Sequence, residues 1–435
     1  MKKFYLFIIM TTIMAMTAGC RFCLIKNPYV TSENGKFISN GNTQYYIGTN
    51  FWYGPILASD TEANDIERLK SELDSLKALG INNLRVLVGA EGPEGSPNKI
   101  WPVLQKEPGV YDENVFIGLD RFMYELGKRD MKAVLYLTNS WEWSGGFGQY
   151  LQWAGAGDIV LPQAGWKEFT GYTSRIMVDE KARQLIAQHV KTVVSRINTV
   201  TGKPYSEDPA IFSWQLANEP RCFSASKQVQ DAFVEWVYAT AALIKSIDDN
   251  HLVSTGSEGL YGCEVDMELC ERIHACPDID YITLHIWPFN WKWVSKEGLL
   301  TDIDKAIEST DSYLDAHIKL AEKLNKPLVL EEFGYPRDGL KFAKGTPVNA
   351  KDLYYTHIFQ RLIESKKTGG KLAGVNFWGW GGMAEQSSKS IWWNKGDDFC
   401  CDPAHEQQGL YSVYLSDTTS LNVIRNAQQK LSEIR

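Results

Sequence analysis

The sequence predicts an α/β chain closed into a (β/α)8 barrel, a single domain with long βα loops. Eight strand-length apolar runs occur, each followed by a helix-length stretch, and eight such units close a barrel. Polar or aromatic residues stand just after each run, as they do when the C-terminal ends of all strands share one face. At 435 residues, 44% hydrophobic and 23% charged, the chain has room for a sizeable core, and no repeat divides it. A doubly wound open sheet is the alternative. It normally needs fewer units, and no Gly-rich phosphate loop follows the first strand.

In chain order, the first strand is read over 45–51 and its helix over 61–79, where Ile66, Leu69, Leu73 and Leu76 mark one face and Gly80 a stop. The second strand is 83–88, and its helix, 112–128, follows a loop rich in Gly and Pro. Strand three, 132–137, is separated from the helix at 179–200 by a long Trp-bearing insertion. Strand four is 211–218 with helix 227–247, and strand five is 251–255 with a shorter helix at 266–274. The sixth pair is 281–285 and 303–325, the seventh 327–332 and 351–366, and the eighth 374–378 and 420–434.

The N-terminus carries Lys2-Lys3, an apolar run over 4–16 and small residues before Cys20, the pattern of an export signal. The run is too short to span a bilayer comfortably. Residues 1–19 are therefore expected as a signal, Cys20 as a lipidated N-terminus, 20–36 as a tether and 37–435 as the barrel domain. Ordinary secretion is the alternative, because Thr17 stands where a lipoprotein signal has Leu. Either way the product is exported, at the cell surface, in the periplasm or free. In such a chain Cys222, Cys263, Cys270, Cys276, Cys400 and Cys401 are expected in disulfides, with 15 ways to pair six cysteines. The spacing of Cys263, Cys270 and Cys276 also suits a metal, but no His pair stands nearby at ligand spacing, so neither metal nor other cofactor is expected.

A formal charge of -8 disfavours nucleic acid, whose phosphates need clustered Lys and Arg. Trp is abundant, at 15 residues, and many fall in loops, where flat aromatic faces suit the C–H faces of sugar rings. The residues after the strands are Trp52, Arg85, Asn139 with Trp141, Asn218 with Glu219, Glu258, His285 with Trp287, Glu332, and Trp378 with Trp380. Any one has a bland reading, as a polar strand end near solvent. A ring of Trp, Glu, Arg and His at eight successive ends is harder to read that way.

Two of those acids fit the hydrolysis of a glycosidic bond, in which one carboxyl protonates the leaving oxygen and the other meets the developing oxocarbenium ion. Alternation in the fourth strand sets Phe212, Trp214 and Leu216 toward the helices and Ser213, Gln215, Ala217 and Glu219 toward the interior. In the seventh, Leu328, Leu330 and Glu332 alternate with Val329 and Glu331, and parity does not choose between the acids.

Asn218-Glu219-Pro220 and Glu332-Phe333-Gly334 resemble the acid/base and nucleophile motifs of glycoside hydrolase family 5. The run 196–222, Leu137-Thr138-Asn139-Ser140-Trp141, Gly145-Gly146 and Gln149-Tyr150-Leu151-Gln152-Trp153 are similar to its endo-β-1,4-mannanase branch. The resemblance spans 37 to the end. It implies a retaining (β/α)8 hydrolase of β-mannan needing no cofactor, with Glu219 as acid/base and Glu332 as nucleophile. It further implies that Arg85 keeps Glu332 ionised, Asn218 binds the sugar 2-hydroxyl, and His285 supports the site. Trp378 becomes the sugar floor, Arg221 and Glu258 grip sugars beyond the cleaved bond, and Trp52, Asn139 and Trp141 join the binding surface. The family's His-x-Tyr is here His285-Ile286-Trp287, and an indole N–H donates but neither accepts nor ionises. Trp287, Trp291, Trp293 and the pair Trp392-Trp393 are read as a wider sugar platform. A β-1,4-glucanase of the same fold and a non-catalytic glycan-binding lipoprotein are the rival readings.

Overall fold

The computed structural model describes residues 27–95 and 99–434. The expected signal, Cys20 and Cys23 lie outside the described residues.

Eight parallel strands form the barrel: β1 (Tyr46–Asn50), β2 (Asn83–Leu87), β3 (Lys132–Tyr136), β4 (Ile211–Gln215), β5 (Leu252–Ser254), β6 (Ile282–Ile286), β7 (Leu328–Phe333) and β8 (Leu372–Phe377). Each pairs with its neighbours in sequence, β8 returns to β1, and a parallel bridge from Ser254 to Tyr281 closes β5 onto β6. The following helices are α1 (Ile66–Ala78), α2 (Glu113–Lys128), α3 (Glu180–Val194), α4 (Lys227–Ile247), α5 (Met267–His274), α6 (Ile303–Leu324), α7 (Asn349–Thr368) and α8 (Thr418–Glu433). Every expected unit is present.

Aspartates set several helix starts. Asp65, Asp112, Asp179 and Asp266 each accept a first-turn backbone N–H. Asp65 thus begins α1 at Ile66 rather than at residue 61. Likewise α3 stops at Val194 instead of running to 200, because buried Asp120 takes the Arg196 guanidinium and the Thr199 N–H and turns the chain away.

Three features differ from expectation. Residues 28–36, read as tether, belong to the folded body: Thr31–Glu33, Lys36–Ser39 and Asn42–Gln44 form an antiparallel sheet under the barrel. Its turns are Asn34-Gly35 and Asn40-Gly41, all four at positive φ, the two-residue signal of a tight hairpin. Phe37, fully buried, plugs the barrel floor against Tyr46, Phe212 and Tyr281. Second, Phe212 therefore faces that plug, not the helices: the β3/β4 register slips between Ala133–Ile211 and Val134–Ser213, a bulge that turns it inward. Third, the six described cysteines are buried free thiols. The neighbours Cys400 and Cys401 aim apart, at Gln408 Oε1 (3.1 Å) and the Asn50 carbonyl (3.3 Å), and fill core space.

Long segments cover the C-terminal face. The β3–α3 insertion folds into helices Gly146–Ala154 and Trp166–Thr173. The stretch after β8 is organised by buried Asp402, which accepts from the Gly409 and Tyr411 N–H groups at 2.8 and 2.9 Å and from the Ser412 hydroxyl at 2.6 Å.

Candidate active site

On that face a cleft of about 410 Å³ is lined by Asn218, Glu219, Arg221, Glu258, Trp287, Glu332 and Trp378. Trp141 lines it too. Residues from six βα segments, nearly 240 positions apart at the extremes, therefore meet as the strand-end reading requires.

Glu219 leaves β4 with φ of 50°, in the left-handed region, and its N–H bonds the Gly256 carbonyl at 2.9 Å, which fixes the turn. Its carboxylate takes the Trp141 indole N–H, a hydrogen bond from Trp287, and His285 Nδ1 at 2.7 Å. Trp287 thus serves Glu219 and packs between Trp378 and Tyr411.

Glu332 reaches the cleft through a bulge. Leu284 pairs with Leu330 but His285 pairs with Glu332, so Glu331 is the extra residue and both acids turn inward. Neither parity reading alone sufficed. Glu332 Oε1 is bonded by Arg85 Nη1, and Oε2 lies 3.3 Å from His285 Nδ1. Buried Arg85 also donates to Asn218 Oδ1 (2.8 Å), Asn50 Oδ1 (3.2 Å) and Gln215 Oε1 (2.8 Å), with its guanidinium 4.6 Å from the Tyr136 ring centre. A planar five-donor fork thus fixes one carboxylate and three amide oxygens.

An oxygen of Glu219, an oxygen of Glu332 and His285 Nδ1 all lie within 4.8 Å of one another. That spacing is close to the roughly 5 to 5.5 Å of carboxylate pairs in which one acid attacks the sugar directly, and too short for an intervening water at about 6.5 to 9.5 Å. Burial raises both carboxyls, and their mutual repulsion adds to it at Glu332. Arg85 bonds Glu332 directly and favours its ionised form. Burial holds His285 well below the ordinary range, so the ring is neutral and its Nδ1–H faces both acids.

A family profile described as GH family 5 beta-mannosidase-like matches residues 27–435. The chain belongs to glycoside hydrolase family 5. Mannan endo-1,4-beta-mannosidase 1 of Arabidopsis thaliana is 32% identical over 381 residues, 82% of this chain and 83% of that protein. A family 5 mannosidase from Rhizomucor miehei superposes at a TM-score of 0.84 with 33% identity, covering 94% of this chain and 98% of that one. The endo-beta-1,4-mannanase of Thermotoga petrophila superposes at 0.66 with 25% identity, covering 91% and 78%.

Two expected binding residues of this family 5 protein stand outside the cleft. Trp52 is buried beneath it, its indole N–H on the Cys401 carbonyl at 2.7 Å and its ring 5.5 Å from Trp143. Asn139 is fully buried, where it accepts from Asn218 Nδ2 (3.1 Å) and the Trp141 N–H (3.1 Å) and so orients both. Arg221 and Glu258 form an ion pair on the cleft wall; burial pushes Glu258 up to about 7 even so. Of the wider platform, Trp287 and Trp291 line the cleft. Trp293 packs on Tyr313, Trp393 stacks on Phe399 at 5.0 Å, and Trp392 is exposed on the surface.

The cleft also holds residues that strand-end reasoning missed: Trp143, Trp166, Tyr261, Asn290, His405 and Glu406. All lie several residues beyond a strand end. Trp166 packs tilted against the stacked Trp141 and Phe169 rings, 6.2 and 5.9 Å from them, and Arg221 lies 5.7 Å from the Trp141 ring centre. On the Asp402-organised wall, burial pushes Glu406 up to about 8 and His405 down to about 4.

Proposed function

We propose that the protein is a retaining, endo-acting hydrolase of β-1,4-mannosidic bonds in mannan, glucomannan or galactomannan. The observation that carries it is the Glu219–Glu332 spacing at the floor of an aromatic cleft. In the first step Glu332 attacks the anomeric carbon while Glu219 gives its proton to the leaving oxygen. A mannosyl ester forms and the shortened chain departs. In the second, Glu219, now a carboxylate stabilised by the Trp141 and Trp287 N–H groups, takes a proton from water, which displaces Glu332. Two inversions give net retention.

Asn218, held between Arg85 and Asn139, presents its amide to the sugar 2-hydroxyl, and Trp378 offers an aromatic floor before the cleaved bond. Arg221, Glu258 and Trp141 contact the sugars after it. Further support for the mannan reading comes from the Arabidopsis relative's name and from a Rhizomucor miehei mannosidase variant, 33% identical at a TM-score of 0.83 over 94% of this chain and 98% of that one, seen in complex with mannosyl-fructose. The signal-like 1–19 supports export, with Cys20 as a lipid anchor.

The test is release of reducing ends from mannan, glucomannan and cellulose, with galactomannan viscosity followed in parallel. We expect release from the first two and a viscosity drop that precedes most reducing-end formation. Release from cellulose alone would replace this reading by a β-1,4-glucanase, and firm binding without release from any of the three by a glycan-binding lipoprotein. Mannose shed singly from chain ends would refute endo action alone.

A further inference from the structure

The proposed reaction uses one of two adjacent buried acids; the other, Glu331, is left without a task. It is 1% exposed and lies one layer beneath Glu332, inside the barrel. Its Oε2 takes the Gln215 amide N–H at 2.6 Å and lies 3.7 Å from Arg85 Nε; its Oε1 takes the Tyr281 hydroxyl at 3.2 Å. Gln215 bridges the two charges, since its Oε1 accepts from Arg85 Nε at 2.8 Å. Tyr281 is tied to Ser213 at 2.8 Å, and Asn50, which accepts from Arg85, donates to the Glu331 carbonyl at 2.8 Å. Arg85 is thus clamped between two carboxylates by groups from three strands and by Tyr281 at the foot of a fourth.

The partners favour the ion. The Gln215 amide N–H, with the guanidinium 3.7 Å away, faces one oxygen and the Tyr281 hydroxyl the other. Burial raises it, and Arg85, Gln215 and Tyr281 oppose that. The other titratable groups turned toward it are Tyr46 from β1, Tyr281 and, from α5, His274.

We propose that Glu331 is an ionised positioning residue, which takes a share of the Arg85 charge and so leaves Glu332 basic enough to attack the sugar. An undivided guanidinium would hold Glu332 as a more stable, less nucleophilic carboxylate. Such an acid is a slower nucleophile in the first step and a better leaving group in the second. The proposal rests on the double-displacement reading above.

The test is Glu331→Gln, isosteric and able to keep hydrogen bonds to Gln215 and Tyr281, assayed on an aryl β-mannobioside with wild type in parallel. With the charge gone, Arg85 acts on Glu332 alone, and the acid limb of kcat/KM, which reports the group that must be ionised, moves to lower pH by about one unit or more. At the optimum kcat/KM falls about three- to tenfold, a Brønsted response. On a dinitrophenyl substrate, where breakdown of the ester limits, kcat holds or rises. Glu331→Asp keeps the charge and leaves the acid limb in place. A folded Gln variant losing kcat and kcat/KM together with an unmoved limb overturns the proposal. Should the Gln variant not fold, an Asp variant whose limb shifts by a unit does the same. An inactive wild type would instead refute the assigned reaction.

Discussion

Glu332→Gln lowers kcat on mannan by about 10⁴ or more, equivalent to roughly 5 kcal/mol of lost transition-state stabilisation. An amide oxygen does not form the glycosyl ester at a useful rate, so the double displacement has no first step. The substitution keeps size and a hydrogen-bond acceptor for Arg85, whose charge retains Glu331 3.7 Å away as a counter-ion. Near-normal fold and substrate binding are therefore expected, and a calorimetric titration with mannohexaose measured beside the activity separates lost chemistry from lost binding. An exogenous azide ion, small enough for the space left by Glu332→Ala, would attack the opposite face and yield the α-mannosyl azide. Retention of more than a tenth of wild-type kcat by the Gln variant would remove Glu332 from the mechanism.

Glu219→Gln has the second largest effect, and its size depends on the leaving group. Mannan departs as an alcohol and needs a proton, so kcat/KM falls about 10³-fold, within the usual range for a general acid. A dinitrophenolate departs unaided, and for it the first step is nearly unchanged. The second step still lacks its base, so a stopped-flow burst of dinitrophenol precedes a slow steady state. The basic limb of the kcat/KM profile also disappears, because it reports the proton that burial keeps on Glu219. Its acid limb stays in place, since Glu219 is already protonated and uncharged where Glu332 titrates. Equal losses on both substrates would contradict the acid role.

These residues were legible because barrel strands deliver their C-terminal ends to one face, so Arg85, Glu219, His285 and Glu332 converge whatever the loops do. Strand-end position does not say whether a side chain rises into the cleft or lies beneath it. Trp52 and Asn139 occupy the lower layer, where they support Trp143 and Asn218. Alternation failed where the strands bulge: one bulge turns Phe212 onto the Phe37 plug, and another brings Glu331 and Glu332 inward together. Neither bulge has a Gly or Pro to mark it. Trp143, Trp166, His405 and Glu406 escaped for a different reason. Their positions depend on how long insertions fold back, through such contacts as the Asp402 backbone cradle, which no local periodicity encodes. The Asn34-Gly35 and Asn40-Gly41 turns were readable hairpin signals, obscured by the adjacent signal-like run.

At Cys222, Cys263 and Cys270 core packing takes the place of the expected disulfides. Cys222, Cys263 and Cys270 are fully buried, as are the aliphatic side chains around them. A free thiol packs there as a small apolar group.

The most direct measurement of the central claim is the anomeric configuration of the first product, read by proton NMR within minutes of adding enzyme to a mannooligosaccharide, before mutarotation. Oxygens of Glu219 and Glu332 within 4.8 Å leave no place for a water between acid and sugar, so the new reducing end appears as the β-anomer. Initial appearance of the α-anomer would mean a single displacement by water, and would contradict it.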